Sequence, residues 1–155
     1  VRAAVITVSD SRTRETDESG PLICDAFTGA GHAVVVTDLL PNDEPRVRDL
    51  VRALIARDDL EVVIVTGGTG LGSRDRSIEA IEPLIEKQIP GFGELFRAIS
   101  YQEQVGTAAI LSRAFAGSAG GKLIIVLPGS RAAVELAMQR ILLAEIPHLM
   151  REIRR

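Results

Sequence analysis

Apolar residues along this chain alternate between two spacings. Val5-Ile6-Thr7-Val8, Val34-Val35-Val36 (within His32 to Leu40) and Val62-Val63-Ile64-Val65 (within Glu61 to Thr66) are short, β-branched and almost uninterrupted. Such runs read as strands, the last of them as a buried parallel strand. Between them the spacing changes: Val47, Leu50, Val51, Leu54 and Ile55 recur at i, i+3, i+4, i+7 and i+8, one face of a helix. Ser19-Gly20-Pro21 reads as a helix start, and that helix should stop at Gly29-Ala30-Gly31. Strand–helix–strand–helix–strand alternation predicts an α/β fold with a mostly parallel sheet and helices on its faces.

The second half is less periodic. Ser77 starts a pattern through Ile78, Ile81, Leu84 and Ile85 that Pro83 must kink or split. A helix through Leu95, Phe96 and Ile99 follows Pro90-Gly91-Phe92-Gly93. Ile110 to Ala116 and Lys122 to Leu127 flank Gly117-Ser118-Ala119-Gly120-Gly121, which predicts a small hairpin. Ser130 is placed to cap a helix carrying Val134, Met138, Ile141 and Leu142, with a break expected at Pro147 before a short final helix.

With 155 residues, 46% hydrophobic and 25% charged, the chain fits a single domain, residues 1–155, with a sizeable core. The net charge of −3 and the scattered basic residues give no reason to expect nucleic acid as a partner. No apolar stretch approaches a membrane span. Nor does a secretory signal pattern precede the first strand, and Cys24 is the only cysteine. Both fit a cytoplasmic location, and the lone cysteine rules out an intrachain disulfide. With only His32 and His148 beside it, a Cys/His zinc site of four ligands is ruled out as well.

The densest chemistry follows the third strand: Thr66-Gly67-Gly68-Thr69-Gly70-Leu71-Gly72-Ser73-Arg74-Asp75. Glycines let the backbone turn sharply and present N–H groups to an anion. The carboxyl end of a parallel strand is where open α/β sheets bind ligands. The loop is not a P-loop, because no Gly-Lys-Ser/Thr follows, and the dinucleotide spacing GxGxxG is absent. Arg74 and Arg113 are candidates for bidentate phosphate contacts. Asp75 is the candidate metal carboxylate, although it reads equally as a helix cap. Ser9 and Asp10 read either as an Asx-type turn or as a binding loop, and Ser130 as a cap that also attracts anions.

Five phrases occur in order: Thr7-Val8-Ser9-Asp10-Ser11, the glycine loop with Arg74-Asp75, Pro90-Gly91-Phe92-Gly93-Glu94, Leu111-Ser112-Arg113, and Leu127-Pro128-Gly129-Ser130. Together they resemble the molybdopterin adenylyltransferase family (MogA/MoaB-like, and like the G domain of gephyrin) over nearly the whole chain. The resemblance implies a three-layer α/β/α fold, a homotrimer, and Mg²⁺-assisted adenylylation of molybdopterin by ATP in molybdenum cofactor biosynthesis. A molybdenum-insertion partner would then take the product. It assigns Thr66, Gly67, Gly68, Thr69, Gly70 and Arg74 to the nucleotide. Ser9, Asp10, Ser112, Arg113, Pro128, Gly129 and Ser130 fall to molybdopterin, and Asp75 to catalysis and metal binding.

One turn departs from the pattern. Active members of the family carry an Asp directly after the proline of Pro41-Asn42-Asp43-Glu44, where this chain has Asn42. A one-residue shift in the turn would present Asp43, which is therefore taken as the second catalytic and metal carboxylate. Asn42, with Gly91-Phe92-Gly93-Glu94 and Ser100-Tyr101, supports an alternative: a non-catalytic MoaB-type molybdopterin-binding protein or trimeric scaffold.

Overall fold

The three valine-rich runs lie side by side. In the computed structural model, which describes residues 1–155, β1 (Arg2–Val8) sits between β2 (Ala33–Leu40) and β3 (Val62–Thr66). The sheet continues through β6 (Lys122–Leu127), β5 (Phe115–Ala119) and the two-residue β4 (Lys87–Gln88), giving the order β2-β1-β3-β6-β5-β4. The pairs β1–β2, β1–β3 and β3–β6 are parallel, and only β5 runs against its neighbours.

Alternate residues of the central strands serve two cores. Ala3, Val5, Val62, Ile64, Leu123 and Ile125 face one layer with Ile23 and Phe27 of α1 (Ser19–Gly29). Phe92 and Phe96 of α4 (Pro90–Ser100) belong to the same layer. So do Val134 of α5 (Arg131–Ala137) and Ile146 of α6 (Leu143–Ile153). Ala4, Ile6, Val63, Val65, Ile124 and Val126 face the other layer. There they meet Val47, Val51 and Leu54 of α2 (Glu44–Ile55) and Ile78 and Ile81 of α3 (Ser77–Ile81). The result is the expected three-layer α/β/α sandwich. Because α1 and α2 cover opposite faces while their strands flank β1, the winding reverses between β1 and β3, where such sheets bind ligands.

Three expectations need correction. The hairpin is shorter than its sequence pattern: β5 begins at Phe115, and the turn is Gly120-Gly121, both at positive φ (57° and 74°). That suits a two-residue hairpin turn. Residues 106–111 form a 3₁₀ helix instead, with Ile110 84% exposed, so the apolar run there is not a strand. Second, α6 runs through Pro147, and the irregularity lies upstream as a π-helical turn, Met138–Leu142. This wide turn comes just before the Leu143 carbonyl, which Pro147 leaves without its helical donor. Buried Ile146 and Met150 flank the proline and hold the helix to the core. Third, β4 gave no sequence signal, having only two exposed residues. Pro83 does split its helix, with α3 ending at Ile81 and a 3₁₀ turn over Glu82–Leu84.

Candidate functional site

The carboxyl ends of β1, β2, β3 and β6 open onto one cleft of about 370 Å³. β1 and the loop after it contribute Thr7 through Arg12, then Asp17 and Ser19. The turn after β2 contributes Asn42, β3 and its loop contribute Thr66 through Gly70 and Asp75, and the loop after β6 contributes Gly129. Of the expected site residues, Ser9, Asp10, Thr66, Gly67, Gly68, Thr69, Gly70, Asp75 and Gly129 meet here. Asp43, Arg74, Ser112, Arg113, Pro128 and Ser130 do not line the cleft.

The glycine loop is held where only glycine fits. Gly67 has φ 99°, and a Cβ on it would lie 2.1 Å from the Val8 carbonyl oxygen. Its N–H donates to the Leu127 carbonyl, and Thr66 Oγ1 donates to the Pro128 carbonyl, so β3 and β6 leave the sheet together. Asp75 turns back on the loop, its Oδ2 accepting the Gly72 N–H at 3.0 Å. Pro128 therefore acts through its carbonyl at the back of the cleft, and Ser130 caps α5 by accepting the Ala133 N–H.

A second knot ties the rim. Asp10 accepts the Arg74 Nε–H at 2.7 Å, the Asn42 backbone N–H at 2.9 Å and the Asn42 side-chain amide at 3.3 Å. The Arg74 hydrogen bond, with those of Asn42, holds the Asp10 carboxyl far below the usual carboxylate range. Arg74 is thus committed to a carboxylate rather than pointing into the cleft. Ser9 forms the expected local turn, its Oγ accepting the N–H groups of Ser11 and Arg12.

Arg113 departs furthest from expectation. Its guanidinium lies behind the glycine loop, donating to the carbonyls of Thr69 and Gly70 and to both oxygens of Glu79. Those bonds raise the Arg113 pKa and lower that of Glu79. Ser112 lies one residue before it; its carbonyl accepts from Arg97 and its Oγ from the Ala114 N–H.

The turn after β2 resolves in favour of Asn42. Asp43 caps α2 by accepting the Arg46 N–H at 3.2 Å and is not among the residues that line the cleft, where Asn42 stands instead. Asn42 Oδ1 is buried without a hydrogen-bond partner. Its orientation is fixed by charge, because turning the amide over would set this oxygen against the Asp10 carboxylate.

Asp10, Asp17 and Asp75 line the cleft with Arg12, and Arg74 pairs with Asp10 from the rim, so carboxylates outnumber guanidinium groups three to two. A polyphosphate entering this cleft therefore needs a cation with it. The residues fit Mg²⁺ in that role. Asp75 Oδ1 accepts no hydrogen bond and Asn42 Oδ1 is orphaned, both oxygen donors. No cluster of three His, Cys, Asp or Glu side chains forms a ready-made cage. That set suits an ion completing its shell with phosphate oxygens and water.

A family model described as probable molybdopterin binding domain matches residues 4–148. The chain belongs to this family. The molybdenum cofactor biosynthesis protein B of Halalkalibacterium halodurans is 44% identical over 153 residues, spanning 99% of this chain and 90% of that protein. A crystal structure of a molybdenum cofactor biosynthesis protein B superposes with TM-score 0.95 at 44% identity, covering 99% and 95% of the two chains. The tungsten cofactor synthesizing protein MoaB from Pyrococcus furiosus superposes with TM-score 0.88 at 37% identity, covering 99% and 97%.

Within this molybdopterin-binding-domain chain, Asp17 and Ser19 are among the lining residues that the sequence did not assign to the site. Asp17 accepts the N–H groups of Ser19 and Gly20 through Oδ1 and the Thr7 hydroxyl through Oδ2. Ser19 Oγ donates to the Gly129 carbonyl. The available signal was an Asp two residues ahead of a Ser-Gly-Pro helix start, the pattern of a side chain capping free N–H groups.

Proposed function

We propose that this chain acts in molybdenum cofactor biosynthesis as a molybdopterin adenylyltransferase. A terminal phosphate oxygen of molybdopterin attacks the α-phosphorus of ATP. The bond from that phosphorus to the bridging oxygen of the β-phosphate breaks, and adenylated molybdopterin and pyrophosphate leave. The observation that carries this reading is the glycine loop and Asp75 facing the Ser9–Asp10 loop across one cleft, which allows two phosphates to be brought into line. Mg²⁺ held by Asp75 and the Asn42 carbonyl would neutralise charge on the phosphates. The loop orients the nucleotide, and the Asp10–Arg74–Asn42 knot fixes the rim. The same reading places the protein in the cytoplasm as a homotrimer that hands its product to a molybdenum-insertion partner. Exposed Leu95, Tyr101, Val105, Ile110 and Leu111 offer apolar surface for self-association, which light scattering tests directly.

The decisive assay supplies molybdopterin, ATP and Mg²⁺ and measures pyrophosphate together with the adenylated product. Turnover is expected; a folded protein that binds molybdopterin and yields no product would overturn the reading. One observation favours a second reading: a neutral amide, Asn42, lines the cleft where the family resemblance implies a carboxylate, which suits a molybdopterin-binding protein without turnover. In that case molybdopterin binds and pyrophosphate never accumulates.

A further inference from the structure

Four successive peptide groups of the glycine loop share one asymmetry. The carbonyls of Gly67 and Gly68 accept from Ser77, the first through its Oγ at 2.7 Å and the second through its N–H at 2.9 Å. The carbonyls of Thr69 and Gly70 accept from Arg113, through Nε at 2.9 Å and Nη2 at 2.7 Å. The N–H groups on the other side of those same four planes belong to Gly68, Thr69, Gly70 and Leu71, and none donates to a protein acceptor. In a trans peptide the carbonyl and N–H point in opposite directions, and the chain has no cis bonds. Holding the four carbonyls back therefore turns four consecutive donors outward, and Gly68, Thr69 and Gly70 line the cleft. Free backbone donors grouped in this way form an anion-binding concavity.

We propose that Arg113 and Ser77 are positioning residues that convert the loop into a phosphate receptor, with Glu79 holding Arg113 in place. This rests on the assignment of the loop to nucleotide phosphate, and deepens it. Arg113 is suited to the work because its planar fork reaches two carbonyls while its other edge engages Glu79 at 2.5 and 3.2 Å. Both side chains are only about a quarter exposed, at 28% and 27%. A lysine has a point charge and cannot span two carbonyls and a carboxylate in fixed directions. Ser77 supplies its two bonds from the first residue of α3, so the helix start and the Arg113 fork grip the loop from neighbouring points.

The test uses the full chain labelled with ¹⁵N, titrated with magnesium pyrophosphate and, as reference, with magnesium chloride alone. The amides of Gly68, Thr69, Gly70 and Leu71 are expected to shift together and saturably with pyrophosphate. Arg113→Lys should weaken that affinity about tenfold or more while the remainder of the spectrum stays folded. Glu79→Gln, the milder variant, should weaken it about threefold and decides the matter if Arg113→Lys fails to fold. A general loss of structure would move resonances throughout the sheet, whereas a positioning role moves these amides and the anion affinity. Unshifted loop amides in the parent protein, or unchanged affinity in both folded variants, would overturn the proposal. If the amides respond as expected but no adenylated product ever forms, the adenylyltransferase reading fails and the receptor stands. Turnover without any response from these amides has the opposite meaning: the receptor fails and the adenylyltransferase stands.

Discussion

Two turns, at the ends of the strands that flank β1, hold the cleft, and they are built on opposite plans. After β3 the chain removes side chains, with Gly67 and Gly68 at positive φ, and lets the main chain face the cleft. Around it, Ser77, Arg113 and Asp75 serve the backbone. After β2 the main chain is ordinary, and everything depends on which of two adjacent side chains turns inward. Asn42 does, reaching Asp10, while Asp43 spends its carboxylate on the start of α2. A backbone-built site is insensitive to most side-chain exchanges except at its glycines and its braces. A side-chain-built site can change its chemistry by exchange of one residue.

Asp75→Ala probes the one charged group that the glycine loop brings to the cleft. Turnover should fall by roughly 100-fold or more in the pyrophosphate assay, with the melting temperature little changed. Gly67→Ala tests whether the loop tolerates any side chain. A Cβ at 2.1 Å from the Val8 carbonyl, added to a left-handed φ, should cost about 3 kcal/mol or more in urea unfolding. Near-parental stability would show that the loop is looser than described.

Asn42→Asp is the sharpest test of the other turn. It places two carboxylates together where an amide now donates to Asp10. Thermal stability should therefore drop without Mg²⁺ and recover with it, while turnover rises about tenfold. A rate unchanged by that exchange would mean position 42 takes no part in the chemistry. Asp43→Ala should cost only about 1 kcal/mol, the usual worth of a helix cap, and leave turnover intact. A loss of activity there would return Asp43 to the catalytic set.

The smallest effect concerns pH. Asp10 is depressed in the folded state, first by the Arg74 hydrogen bond, so its contribution is complete above the ordinary carboxylate value. It is lost as pH falls through the lower folded value. The Asp10 contribution should stay level from neutral pH down to about pH 4, and Arg74→Gln should move the onset of its loss upward.

How much of this was legible in the sequence differs along the chain for a physical reason. β1, β3 and α2 carry their own pattern because each is covered by core along its length, whereas the edge strand β2 is legible from its valines although only Leu40 of it is buried. Ile110 and Leu111 carry an apolar pattern without burial, and Arg113 is drawn across to the glycine loop, so the strand expected there begins only at Phe115. Site residues followed the same rule. The glycine loop announces itself, since its chemistry is local. Arg113 looked like a phosphate ligand because a sequence shows a guanidinium and not the direction in which it turns. In sequence Asp43 ranks ahead of Asn42 on its charge, but a helix cap and a cleft ligand ask for the same side chain at adjacent positions, and here the cap takes it.

The carbonyls tied back by Ser77 and Arg113 carry one more implication. Four peptide oxygens are held by Ser77 and Arg113, so the loop's main chain offers its N–H groups rather than its carbonyls. On the adenylyltransferase reading, ion selectivity would then reside in side chains, with Asp75 and residue 42 foremost, and anion capture in the main chain. The two properties are separately heritable: a lineage could exchange its metal, or lose it, by altering one side chain and still keep an intact grip on phosphate.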